Sequence, residues 1–277
     1  MTEFTFDGLV GRIDRIDNFL SKFVIPRRVD IWTPPSYSAD TLQRYKVLYM
    51  HDGENVFDSS SSVWSQVDWG IDETVTRLTD EGKIMPTMVV ALWSTNIRAS
   101  EYMPQKLPET ASTAILRKML FKRDQTEICS DNYLRFIVEE VKPYIDKHYR
   151  TLVGMEDTSI MGASMGGLIS MYAVCEYPQI FSGAGCVSTH FPVGRGIALR
   201  YMADHLPDPK NHRFYFDFGT RTVDKNYEKY QKRADVLMAK AGYRQAENWI
   251  TMKFEGHEHS EKDWRKRVHI PLEFLLK

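Results

Sequence analysis

Long apolar runs, an excess of charge of either sign, and cysteine in any quantity are all missing from this sequence. No segment approaches the ~18 consecutive apolar residues of a membrane-spanning helix. The first residues, Met1 to Asp7, lack the basic stretch followed by an apolar run that marks a secretory leader. The 36 Lys and Arg are balanced by 37 Asp and Glu, a formal net charge of -1. That balance removes the electrostatic case for nucleic acid or an anionic membrane as partner, and a neutral or small-molecule substrate fits better. The three cysteines, Cys129, Cys175 and Cys186, are odd in number and have neither metal-ligand nor redox spacing. They read as buried free thiols, and a reduced, cytoplasmic location is the default expectation. Nothing in the sequence sets the oligomeric state.

What is present is an alternation of short β-like runs with amphipathic helical ones, the mark of a mainly parallel sheet covered by helices on both faces. The expected fold is therefore α/β, in one domain over 1–277, a size at which a single large core is ordinary. Gly11 to Phe19 and Val24 to Thr33 read as an antiparallel hairpin that opens the sheet. Tyr45 to His51, Thr87 to Trp93, Phe181 to Ser188, Arg213 to Gly219 and Trp249 to Glu255 read as strands. Asp131 to Tyr149 reads as a long helix with the apolar stripe Leu134, Ile137, Val138, Val141, Ile145 and Tyr149. The segment 94–130 is too long for a plain connector and too irregular for a simple strand–helix unit. It reads either as a loop or lid over an active site or as an inert surface excursion.

The most informative stretch is Ser159-Ile160-Met161-Gly162-Ala163-Ser164-Met165-Gly166-Gly167. It reads as a strand, a sharp turn with a serine at its apex, and a helix continued by Leu168, Met171, Tyr172 and Cys175. This is the Gly-x-Ser-x-Gly nucleophile elbow. The backbone two residues either side of the serine passes close by, so Gly162, Ala163, Gly166 and Gly167 must be small. The N–H of Met165, at a helix N-terminus, would be aimed at an oxyanion formed beside Ser164.

A serine hydroxyl is a weak nucleophile until a histidine takes its proton, and a carboxylate must fix the tautomer of that histidine. In α/β hydrolases the order along the chain is Ser, acid, His, each at the C-terminal end of a strand. The loop Gly256-His257-Glu258-His259-Ser260 offers two histidines; His190, His205, His212 and His269 are less well placed. For the acid, the strand at 213–219 offers Asp217 and the loop after it offers Asp224. A strand carboxylate is apt to be buried against a core partner, whereas one in the loop can reach across, so Asp224 is preferred, its alternative role being an N-cap for the next helix.

Taken together these residues resemble the putative-esterase family of α/β hydrolases, which includes esterase D-like enzymes, feruloyl and acetylxylan esterases of carbohydrate esterase family 1, and enterochelin-type esterases. The resemblance runs from about Val29 to the C-terminus. It rests on Leu48 to Phe57, Arg98 to Pro104, the elbow, Phe218-Gly219-Thr220 through Asp224, and Gly256 through Glu261 with Trp264-Arg265. It implies an α/β-hydrolase fold and Ser164, Asp224 and His259 as catalytic residues, the pattern of a histidine, a small residue, an acid and a tryptophan matching His259 better than His257. It implies a second oxyanion donor from the backbone of Gly53 or Glu54, and no metal or organic cofactor. Arg98 and Glu101 would orient a polar substrate or pair with one another, and Trp64, Trp69 and Trp93 would form an aromatic wall or core. The implied reaction is serine-dependent hydrolysis of carboxylic esters, acyl-sugar or feruloyl and acetyl types first. Siderophore lactones, or acyl transfer with the same triad, are the alternatives.

Overall fold

A computed structural model describes residues 1–62 and 65–277. Its strands are β1 (Thr2–Phe4), β2 (Arg12–Phe19), β3 (Arg27–Thr33), β4 (Lys46–His51), β5 (Thr87–Leu92), β6 (Thr158–Ala163), β7 (Gly183–Val187), β8 (Arg213–Gly219) and β9 (Trp249–Phe254). They form one sheet in the order β1-β2-β3-β5-β4-β6-β7-β8-β9. The pairings from β1 to β5 are antiparallel, and those from β5 across to β9 are parallel. The expected hairpin is β2 and β3. The sheet also carries β1, whose three residues are too few for a period to show in sequence; it pairs Phe4 with Ile13 on the edge.

Strands in the middle of such a sheet face helices on both sides, so their residues are apolar in succession rather than alternately. Every residue of β5 and β6 is buried. Successive residues still point to opposite faces. Val47 and Tyr49 of β4 and Val90 of β5 pack with Leu168 and Met171 of the helix Met165–Glu176. Leu48, Met50 and Val89 pack on the other face with Val75 and Leu78 of the helix Ile71–Asp80 and with Leu272. Each large apolar side chain removed from water in these layers contributes about 1.5–3 kcal/mol.

The stripe expected from 131 to 149 is a continuous helical run, Ser130–Arg135, Phe136–Val141 and Lys142–His148, with a π-helical middle. Ile137, Val141 and Ile145 are all buried. After β9 the chain forms two helices, Glu261–Arg267 and His269–Leu275. Pro271 has no N–H for the carbonyl of Arg267 and its ring crowds that oxygen, which is where the first helix ends.

The segment 94–130 contains the helices Arg98–Tyr102 and Ala111–Asp124, and Leu107, Leu116, Leu120 and Ile128 belong to the core. Glu101 anchors it. The carboxylate is fully buried and pairs with the equally buried Arg27 of β3, with Nη1 3.1 Å from Oε2 and Nη2 on Oε1. Thr95 Oγ1 donates to the same carboxylate at 3.0 Å. Among the described residues no helix is long and apolar enough to cross a membrane.

Removing one partner of a buried ion pair strands the other charge in a low-dielectric interior. Glu101→Ala is therefore expected to cost about 3–5 kcal/mol of stability, seen as a lower urea midpoint at unchanged m. A midpoint equal to that of the parent would show that the pair contributes nothing.

Candidate active site

β6 ends at Ala163, the helix starts at Met165, and Ser164 between them has φ 59 and ψ -117. A non-glycine residue in that region carries backbone strain of order 1–3 kcal/mol and persists only where its surroundings hold it. Here the Ser164 N–H donates to the Val187 carbonyl at 2.9 Å, and its own carbonyl accepts from the His190 N–H at 3.1 Å and the Leu168 N–H at 3.2 Å. The small neighbours have a measurable reason: a Cβ on Gly162 would lie 2.9 Å from the carbonyl carbon of Gly166.

The loops after β8 and β9 are stitched together. The N–H groups of Thr220 and Arg221 both donate to the His257 carbonyl at 3.0 Å, and the His259 N–H donates to Thr222 Oγ1 at 2.9 Å. The approach is so close that a Cβ on Gly219 would sit 2.3 Å from the His257 oxygen. This crossing delivers Asp224, in the turn Thr222–Asn226, to His259: Oδ1 lies 2.6 Å from Nδ1. Oδ2 accepts from the Gly219 N–H and from Ser188 Oγ, each at 2.7 Å. Asp224 thus does not cap the following helix with its side chain. Burial alone would push its carboxyl up, but the hydrogen bonds from His259, Ser188 and Gly219 outweigh burial and hold it below the usual value.

Asp217 is placed differently. Buried in β8, it accepts from Arg267 Nε at 3.0 Å and Nη2 at 3.1 Å, and from the Ser188 N–H at 2.9 Å. His257 turns the same way, with Nδ1 3.1 Å from Arg267 Nη1. Ser164 and His259 instead line one cavity of about 240 Å³ with Asp52, Asn55, Trp69, Arg98, Glu261 and Trp264. The Trp69 and Trp264 rings lie 5.5 Å apart, and the edge of His259 meets Trp264 at 5.0 Å.

Arg98 reaches this cavity and pairs with Asp52, Nη2 to Oδ2 at 2.7 Å and Nε to Oδ1. Its expected neighbour Glu101 does not: it is committed to Arg27, and it neither lines the cavity nor pairs with Arg98. Gly53 and Glu54 form the turn that follows Asp52, with Gly53 packed on the β5 backbone and the Glu54 carboxylate accepting from the Ser94 N–H at 3.0 Å. Trp93 lies outside the cavity, donating through Nε1 to Asp30 at 2.8 Å; Trp64 falls outside the described residues. Among the described residues no group of three or more His, Cys, Asp or Glu is placed to hold a metal ion.

Two neighbours escaped sequence reasoning. Tyr227 has its hydroxyl 2.5 Å from His190 Nδ1, and its ring meets that of His259 in a T-shaped contact at 5.7 Å. Its only signal was its place three residues after Asp224. Ser188, at the end of β7, had no signal at all.

A strained serine at the end of β6, with an acid–histidine pair beyond β8 and β9, defines the class as an α/β hydrolase. A family model described as putative esterase matches residues 25–270, and the chain belongs to that family. It is 20% identical over 255 residues to an uncharacterized protein, YbbA, of Bacillus subtilis (strain 168), covering 90% of this chain and 92% of that protein. It is 24% identical over 235 residues to an endo-1,4-beta-xylanase/feruloyl esterase of Xylanibacter ruminicola, covering 85% of this chain but 27% of that protein. A mutant feruloyl esterase module from Clostridium thermocellum, complexed with sinapinate, has a TM-score of 0.70 at 14% identity, over 96% of this chain and 88% of that one. At that identity the likeness is one of fold. Ester hydrolysis is the class of reaction that the family membership supports.

Two histidines at the site are held neutral. Burial pushes His51 from 6.5 down to about 3, and burial with the nearby His259 takes His190 down to about 4. The unfolded chain binds a proton at each as pH falls through 6.5, whereas the folded chain does not. Stability from this source is therefore complete above pH 6.5 and lost progressively as pH falls toward those folded values. Tm measured from about pH 8 down to about pH 4 should fall on the acid side, and the fall should be shallower in His51→Gln. An equal slope in the variant would remove His51 from the account.

Proposed function

We propose that this protein hydrolyses carboxylic esters through an acyl-enzyme on Ser164. The observation that carries the reading is the hydrogen-bonded Asp224–His259 pair opening on the same cavity as a serine held in a strained turn. His259 takes the Ser164 proton as Oγ attacks the acyl carbon, then gives it to the departing alcohol. Asp224 fixes the Nδ1–H tautomer and stabilises the imidazolium. The Met165 N–H at the helix N-terminus and a backbone N–H from Gly53 or Glu54 receive the oxyanion. Water then repeats the sequence on the acyl-enzyme. The scheme uses no metal or organic cofactor.

The substrate class we assign is acyl-sugar or feruloyl and acetyl-type esters. Support comes from the Trp69–Trp264 wall, which suits a flat aryl group or the apolar face of a sugar, and from the Arg98–Asp52 pair, which suits hydroxyl groups. The feruloyl esterase among the relatives points the same way. Arg98 is the residue through which the segment 94–130 reaches the substrate.

Ser164→Ala is expected to lower kcat on p-nitrophenyl acetate by about 10⁴-fold or more with the fold intact. His259→Ala should approach that loss, while His257→Ala, which removes only a partner of Arg267, should be far milder. Asp224→Asn should be severe through the wrong tautomer. Parent-like turnover in Ser164→Ala would end this reading, and the reverse histidine ranking would reassign the base. Arg98→Ala should reduce kcat/KM for feruloyl or acetyl sugar esters much more than for p-nitrophenyl acetate, which has no matching polar group. An equal loss on both would show that Arg98 serves structure alone.

A further inference from the structure

Ser188 follows β7, is fully buried, and has φ 41. Its hydroxyl has three partners: Asp224 Oδ2 at 2.7 Å, Trp264 Nε1 at 3.0 Å and Arg267 Nη2 at 3.0 Å. An indole N–H and a guanidinium can only donate, and a hydroxyl has one proton and two lone pairs. Both lone pairs are therefore taken, and the single proton has one destination, the Asp224 carboxylate. Its backbone N–H is occupied as well, donating to Asp217 Oδ1. Asp217 and Arg267 form a buried bidentate pair in which both side chains are almost wholly excluded from water. Ser188 thus joins that ion pair to Asp224 with no slack in the chain of hydrogen bonds.

We propose that Ser188 is a positioning residue for the reaction: it saturates Oδ2 of Asp224, with the Gly219 N–H, so that Oδ1 alone is left for His259 and the carboxylate plane is fixed. The inference rests on the ester-hydrolase reading of Ser164, Asp224 and His259. Through Ser188 the Asp217–Arg267 pair also sets how much of the Asp224 charge is available to the imidazole. The other titratable and charged groups around His259 are Tyr227 and, behind it, His190, which burial keeps neutral down to about pH 4, together with the Arg98–Asp52 pair and Glu261, which line the same cavity.

Ser188→Gly is the test, because glycine accepts φ 41 without strain and only the hydroxyl and Cβ are lost. Ser188→Ala, which keeps the Cβ under the strain that serine already bears, is the second variant. With one donor gone, Asp224 should hold the His259 imidazolium more strongly. The acid limb of kcat/KM on p-nitrophenyl acetate should then move to higher pH, while plateau kcat falls about ten- to a hundredfold from lost alignment. The downfield proton resonance of His259 Nδ1–H should shift in both variants, and in each variant combined with Ser164→Ala, where no turnover is needed to observe it. An acid limb and a resonance both at their parent positions, with only Tm or overall rate reduced, would overturn the proposal and leave Ser188 a packing residue. Turnover surviving in Ser164→Ala would instead overturn the functional reading, and the resonance would still report on Ser188.

Discussion

A guanidinium buried beneath the active site, that of Arg267, is where the helix Glu261–Arg267, β8 and the end of β7 are tied together. Taking such a charge out of water costs several kcal/mol, which is offset only if a counter-ion and all its donors are well placed. Asp217 meets two of those donors, His257 a third, and Ser188 Oγ shares Nη2 with Asp217. Of these partners, Ser188 donates to Asp224, and the His257 carbonyl holds the loop that carries it. Satisfying one buried charge thus sets the position of the histidine loop, the end of β7 and, through Ser188, the carboxylate that holds His259.

The sheet supplies the other half of the arrangement. Parallel strands end at one edge, so groups that follow different strands gather there without any being close in sequence. Asp52 follows β4, Arg98 follows β5, Ser164 follows β6, Ser188 follows β7, Asp224 follows β8 and His259 follows β9. The antiparallel strands β1, β2 and β3 lie on the far side of β5 and supply Arg27. That residue pins the helix bearing Arg98, which makes the hairpin part of how the cavity wall is held.

The cavity itself divides by chemistry. The two tryptophans and His259 form one wall. The Arg98–Asp52 pair forms a charged one, with Asp52 close enough to Gly166 that a Cβ there would meet Oδ2 at 3.3 Å. Arg98 stays cationic although half-buried because Asp52 compensates for the lost water.

The residues of the elbow were legible because their constraint is largely local: Gly162 is small because the backbone of Gly166, four positions on, passes against it. The strands of the sheet's interior were legible for a similar reason, since burial on both faces writes an unbroken apolar run into neighbouring positions. The loop position of Asp224 argued for it over Asp217, and the resemblance to a family favoured His259 over His257. What makes the two choices physically distinct is the contact at Gly219 and the ion pair with Arg267, and neither is visible in the chain. The bond from Asp224 to His259 spans 35 residues and that from Arg267 to Ser188 spans 79. Glu101 looked like a neighbour of Arg98 on its short helix, yet its counter-charge is Arg27, 74 residues away. The sequence by itself determined the strands from β2 onward, the helix behind the serine and the nucleophile turn, through sterics and periodicity acting over a few residues. The register and order of the sheet decided which charges meet, because only they bring distant strand ends into contact.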